Sequence, residues 1–295
     1  MIPQAAGEQY RTQQRITGLT ATSVKRLWRR LGADFSSDWA RVGPQMLSVV
    51  ERGRVAAVAA AVPYTAAVLE ETGQTANPKG TLNQPRFTML APDGRRMADL
   101  LDGGLISTKQ AVAAGLTTQE ALNIGGMRMV RDVLTVMADT RRQVYHADII
   151  QRPRLGGYVR MLNPPSCSRC LILAGKYYPW NSGFLRHPQC DCLHIPSGVK
   201  VAAQFTTDPA DAFNAMSKAE QDATFTKSGA RAIRDGADLN RVVNINQRGL
   251  GTVASNRRYG TPSRLTVDDI YRVAGTRTNA IRLLTQEGYI LPTFG

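Results

Sequence analysis

Apolar side chains recur every three or four residues along much of the first 150 positions, and that period predicts helices. Val24, Leu27, Trp28 and Leu31 share one face of such a helix, while Lys25, Arg26, Arg29 and Arg30 spread over the other. Tyr10–Arg15 leads into this stretch after Gly18. A second helical pattern spans roughly Asp38 to Glu71, with Gly43-Pro44 near its start and Gly73 as its stop. From Gln74 to Pro85 the residues turn to Gln, Thr, Asn, Pro and Gly, which reads as a loop, and Pro92-Asp93-Gly94 reads as a turn. Helical patterning resumes around Thr108 and strengthens after Thr117, where Thr117 and Glu120 have the spacing of a capping box. Leu122, Met129, Val130, Val133, Met137 and Val144 carry it to about His146, and the methionines read as core filler.

Beyond residue 150 the period shortens. Gly156-Gly157 and Pro164-Pro165 bracket Tyr158–Leu162, a strand by this reading, and Gly175 precedes an aromatic strand, Lys176–Trp180, ended by Pro179. Asp208-Pro209 opens a further helical region with a capping box at Ser217 and Glu220 and breaks at Gly229 and Gly236. Residues 246–263 form a glycine-rich basic loop containing Arg257 and Arg258, without the spacing of a phosphate-binding loop. In the tail, two short helical patterns hinge near Gly275. Thr276, Arg277, Thr278 and Asn279 would stand where a helix-turn-helix places its base readers, but a hairpin used for packing is the simpler reading.

All four cysteines, Cys167, Cys170, Cys190 and Cys192, fall in one stretch together with His187, and His194 follows. A Cys-x-x-Cys pair can aim two thiolates at one ion, and His187 and Cys190 repeat the spacing. Four of the five donors Cys167, Cys170, His187, Cys190 and Cys192 would suffice for a tetrahedral structural zinc site. Disulfides and inert thiols are the competing readings. The first nine residues lack a basic start followed by an apolar run, so maturation in a reducing cytosol is expected, which disfavours structural disulfides. The short strands around the cysteines promise little core of their own, and a bound zinc could supply folding energy on the order of 10–16 kcal/mol.

The sequence Cys-x-x-Cys, a glycine-containing spacer, then His-Pro-x-Cys-x-Cys resembles the signature of the Mu-F-like phage head morphogenesis, or minor capsid, proteins. Cys167, Cys170, Gly175, His187, Pro188, Cys190 and Cys192 carry the match, and Asp191 stands where the family usually has arginine. Ala230–Asp238 also looks like the segment that follows this domain in relatives from phages of actinobacteria. The resemblance implies a virion protein, assembled in the host cytoplasm and held inside the head near the portal vertex. Its partners would be the portal protein, the major capsid protein or both, with packaged double-stranded DNA alongside. The expected fold class is mainly α with a small zinc-stapled α+β module of this type in the middle. Its expected parts are a helical domain over 1–150, the cysteine/histidine module over 151–200, helices over 201–245, the basic linker over 246–263 and a helical hairpin over 264–295.

Charge adds a partner class. Lys and Arg outnumber Asp and Glu by 37 to 23, a formal net charge of +14, which favours polyanions such as nucleic acid. Arg26, Arg29 and Arg30, with Arg257 and Arg258, are the candidate contacts to phosphate, without sequence preference. The most apolar window, Val55 to Leu69, is interrupted by Pro63 and too short for a membrane span, so it reads as helix packing. No G-x-S-x-G, H-E-x-x-H or kinase signature occurs. Cysteine-rich donors favour a closed structural zinc over a catalytic one. The chain is therefore expected to be structural and not an enzyme. A zinc-stapled nucleic-acid-binding protein without a capsid role is the main alternative, and a capsid maturation protease the lesser one.

Overall fold

The computed structural model describes residues 2–161, 166–182, 192–205, 208–245, 267–288 and 290. The protein is mainly helical with one small three-stranded antiparallel sheet. It divides into two compact units, one of Met1–Met161 with Tyr177–Phe205, the other of Leu162–Lys176 with Thr206–Gly295.

The first unit is built on α1 (Gln4–Trp28), α2 (Phe35–Ala61), α3 (Tyr64–Glu71), α4 (Met97–Ala113) and α5 (Thr118–Ile150). Helix α1 runs unbroken through Gly18, farther than apolar spacing indicates, because the first half of its buried stripe is largely polar: Gln9, Gln13, Thr17 and Thr20. Two of these find partners across the bundle. Gln9 Nε2 donates to the Tyr145 hydroxyl at 2.8 Å, and Gln13 Nε2 donates to the Ala57 carbonyl at 3.0 Å. Val24, Leu27, Trp28 and Leu31 are buried as their shared face requires. The helix expected over Asp38–Glu71 instead divides at Pro63, which lacks an amide hydrogen and crowds the preceding turn. Thr117 and Glu120 form the capping box, and α5 continues a full turn past His146.

Helix α4 starts eleven residues before the pattern becomes visible, because Gly103 and Gly104 blank out positions that would otherwise be apolar. Their role is close approach. A methyl placed on Gly125 of α5 would overlap the Thr108 hydroxyl and lie 2.6 Å from the Gly104 carbonyl oxygen and 2.8 Å from the Trp28 ring. Trp28 thus wedges between α4 and α5, its indole N–H donating to the Leu122 carbonyl at 2.9 Å and its ring meeting Trp39 edge-on at 6.1 Å.

Between α3 and α4 the chain is irregular apart from a 3₁₀ turn, Gln84–Phe87, and a buried cation holds it. Arg54 of α2 is fully buried. Its guanidinium donates to the carbonyls of Phe87 (2.8 Å), Thr88 (3.1 Å) and Leu90, and its Nε to Thr140 Oγ1 at 3.1 Å. Burial pulls its pKa below the ordinary arginine value.

The sheet has the order β2-β1-β3, from β1 (Gly157–Met161), β2 (Tyr177–Pro179) and β3 (Leu193–Ser197). Residues alternate between its faces. Val159, Met161, Leu193 and Ile195 pack with Tyr64, Val68, Val144 and Tyr145 of the helices. Tyr64 donates its hydroxyl to the His194 carbonyl at 2.8 Å, and Tyr145, buried beside it, has its phenol pushed up to about 12. The strands therefore draw their core from the N-terminal helices. The stretch 151–200, expected as one module, is shared between the two units. The short helix α7 (Val199–Ala202) and a 3₁₀ turn, Ala203–Phe205, complete this unit.

The second unit holds α6 (Ser168–Leu173), α8 (Pro209–Asn214), α9 (Lys218–Phe225), α10 (Lys227–Arg234) and α11 (Leu239–Ile245), then α12 (Val267–Ala274) and α13 (Arg277–Gln286). Asp208 and the Ser217/Glu220 box cap α8 and α9 as their sequences indicate. The break expected at Gly229 falls instead at Thr226, whose φ of 66° ends α9 while its hydroxyl accepts from Gly229 N to start α10. Ala232, Ala237, Val242, Ile270, Ala274, Ala280 and Leu284 make its core. The region 246–263, expected as a basic linker, lies outside the described residues.

Two substitutions test this packing. Gly125→Ala should lower stability by about 2–3 kcal/mol, since packed backbone must move apart to admit the methyl; urea unfolding measures it, and an unchanged midpoint refutes the close approach. Arg54→Met should cost about 3 kcal/mol by stranding buried carbonyls. Hydrogen exchange should then accelerate first in residues 84–91, and uniform acceleration across the unit would contradict a local clamp.

Candidate functional site

The cysteine pair stands at the start of a helix. Cys167 is the N-cap of α6, its sulfur accepting from Cys170 N at 3.4 Å, which makes Cys170 the third residue of the first turn. Cys167 is exposed and Cys170 buried. The Cys-x-x-Cys spacing thus folds as a capped turn, with both sulfurs belonging to the second unit.

Cys192 belongs to the first unit, just ahead of β3, and is buried. A guanidinium nitrogen of Arg160 lies 3.2 Å from its sulfur, and Arg142 Nε donates to its carbonyl at 3.1 Å. Arg160 is itself 1 % exposed. Facing it across the same side of the sheet, Tyr158 stacks on His194 at 4.1 Å and on Tyr178 at 5.5 Å. Burial raises the Tyr178 phenol, opposed in part by the charge of Arg160 and by a hydrogen bond from it. Among the described residues, the Cys192 sulfur has the Arg160 guanidinium as a neighbour.

His187 and Cys190 lie outside the described residues, as does Asp191. Among the described residues no group of three or more His, Cys, Asp or Glu side chains converges to hold a metal. The thiol-rich donor set suits zinc chemically, and Cys167 and Cys170 are the described pair whose spacing and shared turn fit it. The remaining histidines are engaged elsewhere. His194 is stacked in the sheet, and His146 Nε2 lies 2.7 Å from the Trp180 carbonyl, tying α5 to the end of β2.

The second candidate site is a face of α1. Arg11, Arg15, Arg26 and Arg29 follow one another at spacings of four, eleven and three residues, which returns each to the same side of a helix. The stripe is about 27 Å long. All four are exposed, and none takes part in an ion pair among the described residues. Lys25 and Arg30 are exposed beside them, Arg30 reaching Gln45 at 3.2 Å. This contrasts with Arg41, Arg95 and Arg96, each bridged to a nearby aspartate. Arg11 and Arg15 escape a reading that stops at Gly18, and their spacing to Arg26 was the signal that could have found them. Arg257 and Arg258 lie outside the described residues.

In the tail, the base-reading positions are largely committed to local bonds. Thr276 caps α13 by accepting from Asn279 N, Asn279 donates to the Ala274 carbonyl at 2.8 Å, and Arg277 bridges Asp235 at 2.6 Å. Asp235 also accepts from the Tyr271 hydroxyl at 2.9 Å, and Arg231 lies over the Tyr271 ring at 4.3 Å. That network fastens the helix pair to α10. Comparison with protein-family models, curated proteins and solved structures finds no match to this chain.

Proposed function

We propose that the chain is a structural, DNA-contacting protein of the phage head morphogenesis, or minor capsid, class. It acts inside the head at the portal vertex, with the portal protein or the major capsid protein as its protein neighbour, and it is not an enzyme. The observation that carries the DNA contact is the α1 face: four exposed arginines over about 27 Å, with no carboxylate paired to them among the described residues. A stripe of that length matches about eight base pairs of one strand at 3.4 Å each, and it offers phosphate contacts without a base-reading element. The virion setting rests on the resemblance of the Cys167–Cys192 stretch to that family. In this reading zinc is a fold staple held by Cys167 and Cys170 with donors from the 187–192 stretch, and no chemistry passes through it.

Three measurements bear on this function. Protein from a host in which heads assemble should copurify with the heads at low fixed copy number; its absence from purified heads would remove the capsid assignment while leaving DNA binding standing. Duplex DNA should bind regardless of sequence, with log K falling steeply against log salt. The Arg11→Glu, Arg15→Glu, Arg26→Glu variant should flatten that slope by about 0.9 for each phosphate it no longer neutralises, with an unchanged melting temperature. Binding that survives high salt, or that prefers one sequence, would rule out the backbone contact. Metal analysis of protein purified without chelator should find about one zinc per chain, and Cys167→Ser should lower that content. Protein free of zinc under those conditions would refute the staple.

A further inference from the structure

Beside the arginine stripe, α1 and α5 enclose a groove of about 860 Å³ within the first unit. Its walls carry four cations, Lys25 and Arg29 from α1 and Arg128 and Arg131 from α5, and no carboxylate. Asp132, which is not part of the wall, pairs with both Arg128 (3.4 Å) and Arg131 (3.2 Å), so the groove keeps a net positive charge. Between the cations the surface is apolar. Met127 is 68 % exposed and Ile124 37 %. The indole N–H of Trp28 is spent on the Leu122 carbonyl.

The arrangement is periodic on both sides. Ile124, Met127, Arg128 and Arg131 stand at i, i+3, i+4 and i+7, one stripe of α5, and Lys25 and Arg29 at i and i+4 of α1. The stripe on α5 therefore mixes two apolar with two basic residues. Duplex DNA would meet the cations but would bury a methionine and an isoleucine against phosphate and sugar. An amphipathic helix with leucine-like residues along one face and carboxylates on its flanks meets both features at once. Its apolar face takes the exposed methionine, which adapts its shape to a partner. Its carboxylates take Lys25 and Arg29, which no aspartate or glutamate neutralises among the described residues. Exposed apolar surface rimmed by charge marks an interaction site.

We propose that this groove docks an acidic amphipathic helix of a partner protein. The inference does not depend on the virion assignment; of the DNA face the groove shares only Arg29, and Arg11, Arg15 and Arg26 lie outside its walls.

The full chain tests it, with a fluorescein-labelled helical peptide as probe: leucine at i, i+3, i+4 and i+7 repeats, glutamate elsewhere. Anisotropy titration near physiological salt should show this peptide binding about tenfold or more tighter than a scrambled peptide of identical composition. Met127→Asp should weaken it about tenfold with melting temperature and DNA affinity unchanged. Arg11→Glu with Arg15→Glu should weaken DNA while leaving peptide affinity within about twofold. Equal affinity for the scrambled peptide, or indifference to Met127→Asp, would overturn the proposal. So would abolished DNA binding on Met127→Asp, which would make the groove part of the nucleic-acid face. Sedimentation showing self-association that Met127→Asp abolishes would assign the groove to a second copy instead, and would overturn it equally.

Discussion

Irregular chain can be buried only where something supplies donors to its carbonyl groups, and in the first unit that supply comes from arginines placed inside the protein. The buried guanidinium of Arg54 offers five N–H groups in one plane and answers three consecutive or near-consecutive carbonyls between α3 and α4. Arg152, paired with Asp148, donates to the Ala76 carbonyl, and Arg142, paired with Asp139, donates to that of Cys192. Arg54 and Arg142 reach from a helix, and Arg152 from just past the end of α5, to segments without regular structure of their own. Lysine could not replace them, since a single ammonium cannot span carbonyls spread across a plane. The segments that bracket the sheet and the start of α4 are fixed by these bonds more than by their own sequence.

This placement changes what the composition means. A net charge of +14 reads as a surface property, yet Arg54, Arg141, Arg142, Arg152 and Arg160 are all buried. They serve folding, and the charge available to a polyanion is correspondingly concentrated in the exposed cations, of which the α1 stripe is an ordered example. The two roles can be told apart by neighbours. Arg54, Arg142, Arg152 and Arg160 face carbonyls, a sulfur or a paired aspartate, whereas Arg11, Arg15, Arg26 and Arg29 are exposed.

Helix content was legible where burial is apolar and where caps are spelled out. The Thr117/Glu120 and Ser217/Glu220 boxes sit where their sequences put them, and the Val24–Leu31 face is buried as its spacing requires. Legibility failed where burial is polar or side chains are missing. Gln9, Gln13 and Thr17 hid the length of α1, and Gly103 and Gly104 hid the first half of α4, because an apolar count scores neither amide–hydroxyl bonds nor close backbone approach. The strands at Tyr158 and Tyr177 were readable, but their allegiance was not. Alternation says that one face must be covered, and it does not say by what; Tyr64 and Val144 are distant in sequence. Of the donors in the cysteine stretch, sequence shows proximity along the chain, while the burial of Cys192 beside Arg160 depends on pairing between β1 and β3.

Trp28 joins these themes. The glycines of α4 and α5 make room for its ring, and its edge reaches the wall of the groove that Met127 borders. Its indole meets that of Trp39, whose N–H is bonded to the Asp102 carboxylate at 2.8 Å. The third tryptophan, Trp180, is 48 % exposed. Trp28 is buried and Trp39 half-buried, against Trp180 wetted by solvent, so the emission of the first two is expected to be blue-shifted relative to that of Trp180. Because Trp28 is the tryptophan that lines the groove, a ligand seated there is expected to alter the protein's own fluorescence, readable without any attached dye.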